Sequence, residues 1–228
     1  MSKTASGLVE YAKAQIGKPY WYGTFGKTAS QSLLNEKRKQ YPSHYKDNRI
    51  DKYKREFGAR VHDCVGLIKG YLWSQTFTSS PKYNSSQDVS ANSMKSKCKE
   101  KGGISTIPEI PGVLVFYNGH VGVYTGNGKV IEARGFNYGV VETNLKERKW
   151  TSWGKCPWIT YPNDIKLFAP CTSDETSIVD ALKKAGENSS LSNRKKIAVA
   201  NGITDYSGTA KQNIALLNLM KQGKLIKP

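Results

Sequence analysis

The spacing of hydrophobic residues follows a helical repeat over the first hundred residues of the chain. Near the N-terminus, Leu8, Tyr11 and Ile16 fall on one face of a helix. Residues 20–30 place glycines among aromatic residues and are typical of a loop. The stretches predicted to be helical are residues 7–16, one or two basic helices within residues 31–57, residues 64–73, and a segment near residues 86–100.

After residue 112 the hydrophobic repeat changes to two, which is the repeat of β-strands. Strands are predicted at residues 113–117, 120–125 and 129–133, with edge strands at residues 140–143 and 158–161. Helices followed by a meander of short strands predict an α+β domain in which helices pack on an antiparallel sheet.

A short helical tail follows this domain after a polar linker at residues 172–176. Ser177, Ser190 and Thr209 each precede an apolar helical repeat and are predicted as helix N-caps. The sequence therefore predicts two domains, which are residues 1–170, with a basic insert at about residues 31–60, and a small all-α module at residues 171–228.

The chain is strongly basic, with 35 Lys and Arg against 18 Asp and Glu among 228 residues and a formal net charge of +17. The densest positive stretch, residues 37–60, also contains Tyr41, Tyr45, Tyr53 and Phe57. A surface of this kind favours a polyanion, which could be nucleic acid, an anionic membrane or an anionic cell-wall polymer. Charge does not choose among these, but no nucleic-acid-binding motif is present and no nucleic acid is expected.

The sequence shows neither a membrane-spanning segment nor a signal peptide for secretion. No run of about 18 apolar residues could span a membrane, and the first residues lead into no apolar segment of a Sec-type signal peptide. The expectation is a protein synthesised in the cytoplasm without a signal peptide, which reaches its site of action by other means.

The four cysteines form no C-x-x-C pair and lack zinc-ligand spacing from a histidine, so free thiols and no metal or organic cofactor are expected. Cys64 differs from the others because it stands on the first turn of an amphipathic helix, with Asp63 as a candidate N-cap. Backbone N–H groups and the helix dipole favour a thiolate there. The alternative is a small core residue. We interpret Cys98, Cys156 and Cys171 as structural.

A nucleophilic thiol needs a base, and His120 is the candidate because it begins a predicted strand. We expect a three-residue turn that pairs Thr125 with Lys129. In that register Glu132 shares a sheet face with His120 and lies diagonal to it, about 7–8 Å away between α-carbons. Glu132 could hold one imidazole nitrogen while the other meets the thiol, and Gly122 would leave room for the helix end to approach. The alternative is that His120 and Glu132 form an ordinary polar sheet face.

Three ordered motifs lie within residues 8–162, and they are Gly17-Lys18-Pro19-Tyr20, His62-Asp63-Cys64-Val65-Gly66-Leu67 and Gly119-His120-Val121-Gly122-Val123-Tyr124. Together they resemble NlpC-type (NlpC/p-sixty) cysteine peptidases, which are papain-like enzymes that cut bacterial peptidoglycan peptides. The resemblance implies Cys64 as nucleophile and His120 as base, with Tyr20 and Asp63 near the oxyanion and substrate-amine region. The long basic insert resembles phage lysins, and the tail resembles small modules that follow cell-wall hydrolases.

Two positions depart from the family pattern. Val65 stands where many members have a Ser that helps to recognise a free peptide amine, which weakens the expectation that the substrate begins with a free L-alanine. Glu132 stands where many members carry His, Asn or Gln.

The predicted function is that of an endolysin-like peptidoglycan hydrolase that cleaves a stem-peptide amide by a Cys–His–Glu mechanism, in the first instance as an endopeptidase. It would act at the cell wall after holin-dependent release or another form of export, with teichoic acid as a further polyanionic partner. The first alternative is an N-acetylmuramoyl-L-alanine amidase or transferase on the same fold. The second is a non-enzymatic polyanion-binding protein. The sequence specifies neither the bond that is cut nor the oligomeric state.

Overall fold

The computed structural model describes residues 3–162 and 166–228. The chain divides into two compact units, one that ends at Tyr161 and one that begins at Pro162. The division falls before Pro170 because Phe168 is buried in the apolar cluster of the second unit. None of the described helices is long and apolar enough to cross a membrane.

The helices of the first unit begin at polar caps. Thr4, Ser30, Asp63 and Ser90 each accept a hydrogen bond from a backbone N–H of the first turn. The helices are α1 (Ala5–Ala14), α2 (Gln31–Gln40), α3 (Ile50–Arg55), α4 (Cys64–Trp73) and α5 (Ala91–Lys97). Short 3-10 helices lie at Asp47–Arg49, Ser85–Gln87, Ile104–Thr106 and Leu145–Glu147. The basic stretch forms two helices, α2 and α3, and Pro42 lies between them.

The strands of the first unit form two antiparallel sheets. The strands are β1 (Phe25–Thr28), β2 (Arg60–His62), β3 (Lys101–Gly103), β4 (Leu114–Tyr117), β5 (His120–Gly126), β6 (Lys129–Gly135), β7 (Gly139–Asn144) and β8 (Ser152–Gly154). The large sheet has the order β3-β8-β4-β5-β6-β7, while β1 pairs with β2. The predicted α+β class is confirmed.

Four of these strands, β1, β2, β3 and β8, were not predicted, and one predicted strand is absent. β1 lies in the expected loop because its partner β2 is distant in sequence, and β3 and β8 have three residues each, too few for a repeat to be recognised. The expected edge strand at residues 158–161 was wrong, because only Thr160 forms an isolated bridge, with Thr4. Ile159 and Tyr161 are apolar at alternate positions because they are buried in the core.

The large sheet has a different apolar cluster on each face. α1 and α4 pack on one face, where Leu8, Leu67, Val121 and Val123 belong to the main core. The other face carries a smaller cluster, which consists of Val115, Tyr124, Val130 and Trp150. α4 therefore lies against the odd-numbered residues of β5, such as Val121 and Val123. The even-numbered residues of β5, such as Tyr124, face the smaller cluster.

Two of the four aromatic residues of the basic stretch, Tyr45 and Tyr53, belong to a buried core, whereas Tyr41 is half-buried and Phe57 is exposed. Trp21 is fully buried, with ring centroids 6.0 Å from Tyr45 and 5.0 Å from Tyr53, and Leu34 closes the same cluster. Rings that are buried in this way cannot stack on the bases of a nucleic acid. Tyr45 and Tyr53 are therefore not available for the stacking that a non-enzymatic polyanion-binding protein would use.

The second unit is helical, as predicted. Its helices are α6 (Ile178–Lys184), α7 (Leu191–Ala200) and α8 (Ala210–Lys221). Ser177, Ser190 and Thr209 are the N-caps, and Thr209 forms a capping box with Gln212. The helices enclose their own apolar cluster, which includes Leu182, Ile197, Leu216 and Leu217.

Candidate active site

Cys64 occupies the first position of α4, and the residue before it fixes this end of the helix. Asp63 Oδ1 accepts a hydrogen bond from the backbone N–H of Gly66 at 2.5 Å, and Oδ2 accepts one from Gly23 at 2.8 Å. A Cβ at Gly66 would lie 1.8 Å from the carbonyl oxygen of Thr24, so only glycine permits this approach. Asp63 and Gly66 therefore clamp the chain around Thr24 against the helix end that carries the thiol.

The Cys64 thiol lies in a nearly closed setting. Burial raises the pKa of Cys64 to about 12, and the Asp63 charge adds to this effect against opposing hydrogen bonds from the backbone N–H groups of Val121 and Val65. Its sulfur lies 4.0 Å from the carbonyl oxygen of Gly119. Burial therefore works against the expected stabilisation of a thiolate by the helix end. The raised pKa favours the neutral thiol, so a base close to the sulfur matters for its reactivity.

The candidate base lies beside the thiol at the start of β5. Gly119 and Val121, the two residues that contact the Cys64 sulfur, flank His120 in sequence. The Nε2 atom of His120 lies 2.7 Å from Oε2 of Glu132, whose side chain is fully buried. This pairing leaves Nδ1 as the imidazole nitrogen that can take a thiol proton.

The hairpin that joins these residues has the expected register but a different turn. Val123 pairs with Ile131, as predicted, but Lys129 pairs with Gly126 rather than with Thr125. Asn127 and Gly128 both have positive φ, as a two-residue type I′ turn requires. Thr125 is the extra residue of a β-bulge, so the expected three-residue turn was wrong.

The space beside Gly122 is not used by the helix, which corrects our expectation. A Cβ at Gly122 would lie 2.6 Å from Val130 and 3.0 Å from Trp150, on the face opposite to α4. Two rings stack on the His120 imidazole: the Trp150 indole, with ring centroids 5.7 Å apart, and the Tyr117 ring, with centroids 4.8 Å apart. Gly122 thus admits the indole that holds the imidazole.

Arg148 and Thr143 complete the surroundings of Glu132. Arg148 Nε lies 3.0 Å from Glu132 Oε1, and Arg148 Nη2 donates a hydrogen bond to Glu132 Oε2 at 3.2 Å. The same Nη2 donates to the Tyr117 hydroxyl at 2.7 Å. The Thr143 hydroxyl donates to Glu132 Oε1 at 3.1 Å. Burial alone would raise the pKa of Glu132, but His120, Arg148 and Thr143 outweigh it and hold that pKa below its usual range. Neither Arg148 nor Thr143 was predicted from the sequence.

Replacing Arg148 with glutamine is expected to cost about 1–3 kcal/mol of stability, because it leaves a buried carboxylate without its cation. The ionised Glu132 stabilises the wild type at neutral pH, and this contribution is lost as the pH falls through its lowered pKa. Without Arg148 the pKa rises, so the loss begins at a higher pH. Thermal unfolding midpoints between pH 3 and 7 measure this shift. The exposed Lys149→Gln variant is the control, and equal profiles would contradict the role of Arg148.

Tyr20 and Asp63, the two predicted substrate-binding residues, lie close to the thiol. Burial raises the pKa of Tyr20, and the charges of Asp63 and Cys64 raise it further, which places all three groups within electrostatic reach. Tyr20 is held by a bridge to His62 at the end of β2. Burial also raises the pKa of Asp63, against the hydrogen bonds from Gly66 and Gly23.

A cavity of about 740 Å³ opens beside Cys64, and the basic insert forms one of its walls. Lys37 and Tyr41 line it from the insert, and Lys69 lines it from α4. Lys37 is buried and bonded to Gln40, and Lys69 Nζ donates to Asp88 at 2.5 Å. The insert therefore shapes the space in front of the thiol, a role that its charge did not indicate.

A metal centre is not visible in the described part of the chain. Within residues 3–162 and 166–228, no three His, Cys, Asp or Glu side chains stand close enough together to hold a metal ion.

Two phage proteins share short segments with this chain. A segment of 62 residues is 42% identical to the L-alanyl-D-glutamate peptidase of Listeria phage A118. This segment makes up 27% of this chain and 22% of that protein. A segment of 59 residues is 46% identical to the endolysin of Listeria phage A511, which is 25% of this chain and 17% of that protein. The matches thus span about a fifth of each relative, and each is shorter than the stretch from Cys64 to Glu132.

Solved structures and a family comparison cover more of the chain. NlpC2 from Trichomonas vaginalis is 15% identical with a TM-score of 0.42, over 70% of this chain and 49% of that one. The P60 domain of antigen MAP1204 from M. avium subspecies paratuberculosis is 18% identical with a TM-score of 0.40, over 68% and 96%. Residues 17–158, more than half of the chain, match the NlpC/P60 family. This match includes Cys64, His120 and Glu132, and by it the chain belongs to the NlpC/P60 family.

Proposed function

We propose that this chain is a peptidoglycan hydrolase that cleaves an amide bond of the stem peptide, with Cys64 as nucleophile, His120 as base and Glu132 as the residue that orients the base. The observation that carries the proposal is the 2.7 Å contact between His120 and Glu132, made where the neighbours of His120, Gly119 and Val121, approach the Cys64 sulfur. Family membership and the names of the two phage relatives support the same activity.

The geometry supports a general-base mechanism. His120 takes the thiol proton through Nδ1 as the Cys64 sulfur attacks the amide carbonyl carbon. The backbone N–H of Cys64, on the first turn of α4, stabilises the negative oxygen of the tetrahedral intermediate. His120 then gives the proton to the departing amine, and the acyl-enzyme is hydrolysed by water that His120 activates. Glu132 and Arg148 hold the imidazole in one orientation through both steps.

An endopeptidase is the favoured form of this activity. One phage relative is named for the bond between L-alanine and D-glutamate, but its match is too short to contain both Cys64 and Glu132. Cleavage between L-alanine and D-glutamate is therefore proposed from the relative's name alone. The alternative is amidase or transferase activity on the same fold. Because Val65 stands where many family members have serine, we expect that the substrate need not begin with a free L-alanine.

Mass spectrometry of fragments released from purified peptidoglycan tests this function. An endopeptidase releases free peptide and leaves a truncated stem on muramic acid, whereas an amidase releases the whole stem and leaves bare muramic acid. Fragments with intact stems would point to the amidase. Absence of any fragment that depends on Cys64 would contradict hydrolysis altogether.

The second unit is proposed to bind the cell wall, with residues 1–170 as the catalytic domain in our sequence-based division. A chain that ends at Pro162, just beyond the compact first unit, is expected to cleave soluble muropeptides but to lose activity on intact walls, because tethering raises the local concentration. Pelleting of both forms with purified walls measures the binding. Equal pelleting and equal lysis would remove this role.

The exposed cations of the insert are proposed to attract teichoic acid or other anionic wall polymers. Lys39, Lys46 and Lys54 are exposed, whereas Lys37 is buried in the cavity wall and is left unchanged. Replacing the three exposed lysines with glutamine should weaken wall association and reduce its salt dependence, since exposed charges act over about 8 Å at physiological salt. Turnover of a small neutral peptide should stay within about twofold, because it needs no steering. Equal losses on walls and peptide would contradict the proposal.

A further inference from the structure

A second cavity, of about 280 Å³, lies on the other side of Tyr20. The insert supplies His44 and Arg49 to its lining, and the end of β6 with the following turn supplies Arg134 and Phe136. Among the described residues that line it, none is acidic. The cavity is therefore a positively charged recess built from two parts of the chain that are distant in sequence.

Arg134 lies on β6 two residues after Glu132, the residue that contacts His120. The pairing of β6 with β7 shifts its register between Ala133 and Gly135, so Arg134 is the extra residue of a bulge, while Ala133 is buried in the main core. The Arg134 guanidinium lies 4.2 Å from the Tyr138 ring centroid, and its buried Nε has no hydrogen-bond partner among the described residues. Arg134 therefore retains donor capacity beside the site.

Arg49 faces the same recess from the insert. Its guanidinium lies 4.8 Å from the Phe136 ring centroid, and Nη1 donates to the His44 carbonyl at 3.4 Å. The His44 ring stacks on Tyr22 with centroids 3.6 Å apart, which stiffens this wall. Within the described residues neither Arg49 nor Arg134 forms an ion pair with an acidic side chain within 4 Å. Two guanidinium groups thus share one recess without a carboxylate between them.

The recess is close to the reacting thiol. Tyr22 lines both this recess and the cavity that opens beside Cys64, so the two spaces share a wall. Tyr20, which also lines the recess, forms a bridge with His62, two residues before Cys64. A ligand in the recess would therefore be a neighbouring part of the peptide whose amide reaches Cys64.

We propose that Arg49 and Arg134 bind a carboxylate of the substrate peptide, next to the amide that Cys64 attacks. The proposal rests on the proposed function, because it assumes a stem-peptide substrate. When D-glutamate is joined through its side-chain carboxyl group, its α-carboxylate stays free beside the amides on either side. The forked guanidinium group matches a carboxylate with two parallel hydrogen bonds. The nearness to the thiol favours the substrate's own carboxylate over the phosphate of a wall polymer.

Two synthetic stem peptides that differ in one group test the proposal. Both begin with L-alanyl-γ-D-glutamyl-L-lysine, one with the free α-carboxylate and the other with the α-carboxamide. The full-length protein should prefer the carboxylate at least about tenfold in kcat/KM, mainly through KM, because a charged hydrogen-bonded pair contributes about this much. In Arg134→Gln and in Arg49→Gln the ratio of the two kcat/KM values should fall towards one. The exposed Arg55→Gln variant loses the same charge outside the recess and should keep the wild-type ratio.

Binding to the Cys64→Ala protein separates failure of this proposal from failure of the proposed function. If neither peptide is cleaved, the endopeptidase assignment fails, and calorimetric titration of both peptides still tests the recess. A preference for the carboxylate that the arginine substitutions remove supports the proposal. Three outcomes would overturn the proposal. The first is an unchanged preference in both arginine variants, and the second is an equal loss on both peptides. The third is binding of inorganic phosphate without discrimination between the peptides.

Discussion

The Cys64→Ala protein is expected to release no peptide from peptidoglycan, with a rate at least about 10⁴-fold below the wild type. The sulfur is the atom that forms the bond to the substrate carbonyl, and no other group on the described chain replaces it. The change should leave the fold intact, because Cys64 lies at the helix end and Asp63 supplies the cap. Fragment release by mass spectrometry and a circular dichroism melt measure the two effects.

Other cysteines provide the controls for this result. Cys171 is partly exposed in the second unit, and Cys98 is buried, with its thiol donating to the Met94 carbonyl at 3.3 Å. Cys171→Ser should keep full activity on soluble peptides, and Cys98→Ala should keep it at some cost in stability. A folded but inactive Cys98→Ala protein would show that the nucleophile is assigned wrongly.

The His120→Ala protein is expected to lose about 10²–10⁴-fold in kcat, the usual contribution of a positioned general base. The loss should be large here because burial holds the Cys64 thiol neutral, with its pKa raised to about 12. Without a base, almost no thiolate forms at neutral pH. Single-turnover release of the first product measures this step separately from hydrolysis of the acyl-enzyme.

Added imidazole sharpens the His120 prediction. Removal of the ring leaves a space beside Tyr117 and Trp150 that imidazole can occupy, so a partial, concentration-dependent recovery is expected. Glu132→Gln should cost less than His120→Ala, since an amide can still hydrogen-bond the imidazole without its charge. His120→Ala activity above about a tenth of the wild type would contradict the role of the base.

The sequence was sufficient for the parts of the site that depend on local pattern. The apolar repeat placed Cys64 at a helix start, and the two-residue repeat placed His120 and Glu132 on one face, where the structure brings them together. Both signals are local, because caps and strand alternation need only neighbouring residues. The roles of these residues in catalysis remain predictions.

The parts that the sequence did not predict depend on contacts between distant segments. Arg148 follows a short 3-10 helix and has no repeat that relates it to Glu132. The wall that α2 forms beside Cys64 depends on how the insert folds around Trp21. Gly122 was assigned to the wrong neighbour because alternation defines two faces but does not say which one receives α4.

The bulge at Thr125 has a consequence for how the hairpin can change in evolution. Deletion of Thr125 would remove the bulge and leave a regular hairpin that the Asn127-Gly128 turn already suits, with Val123 still opposite Ile131. Deletion of one residue between Lys129 and Glu132 would instead reverse the alternation of β6 and turn the carboxylate into the core. Related chains should therefore vary in length by one residue on the β5 side of this turn and keep the β6 side constant.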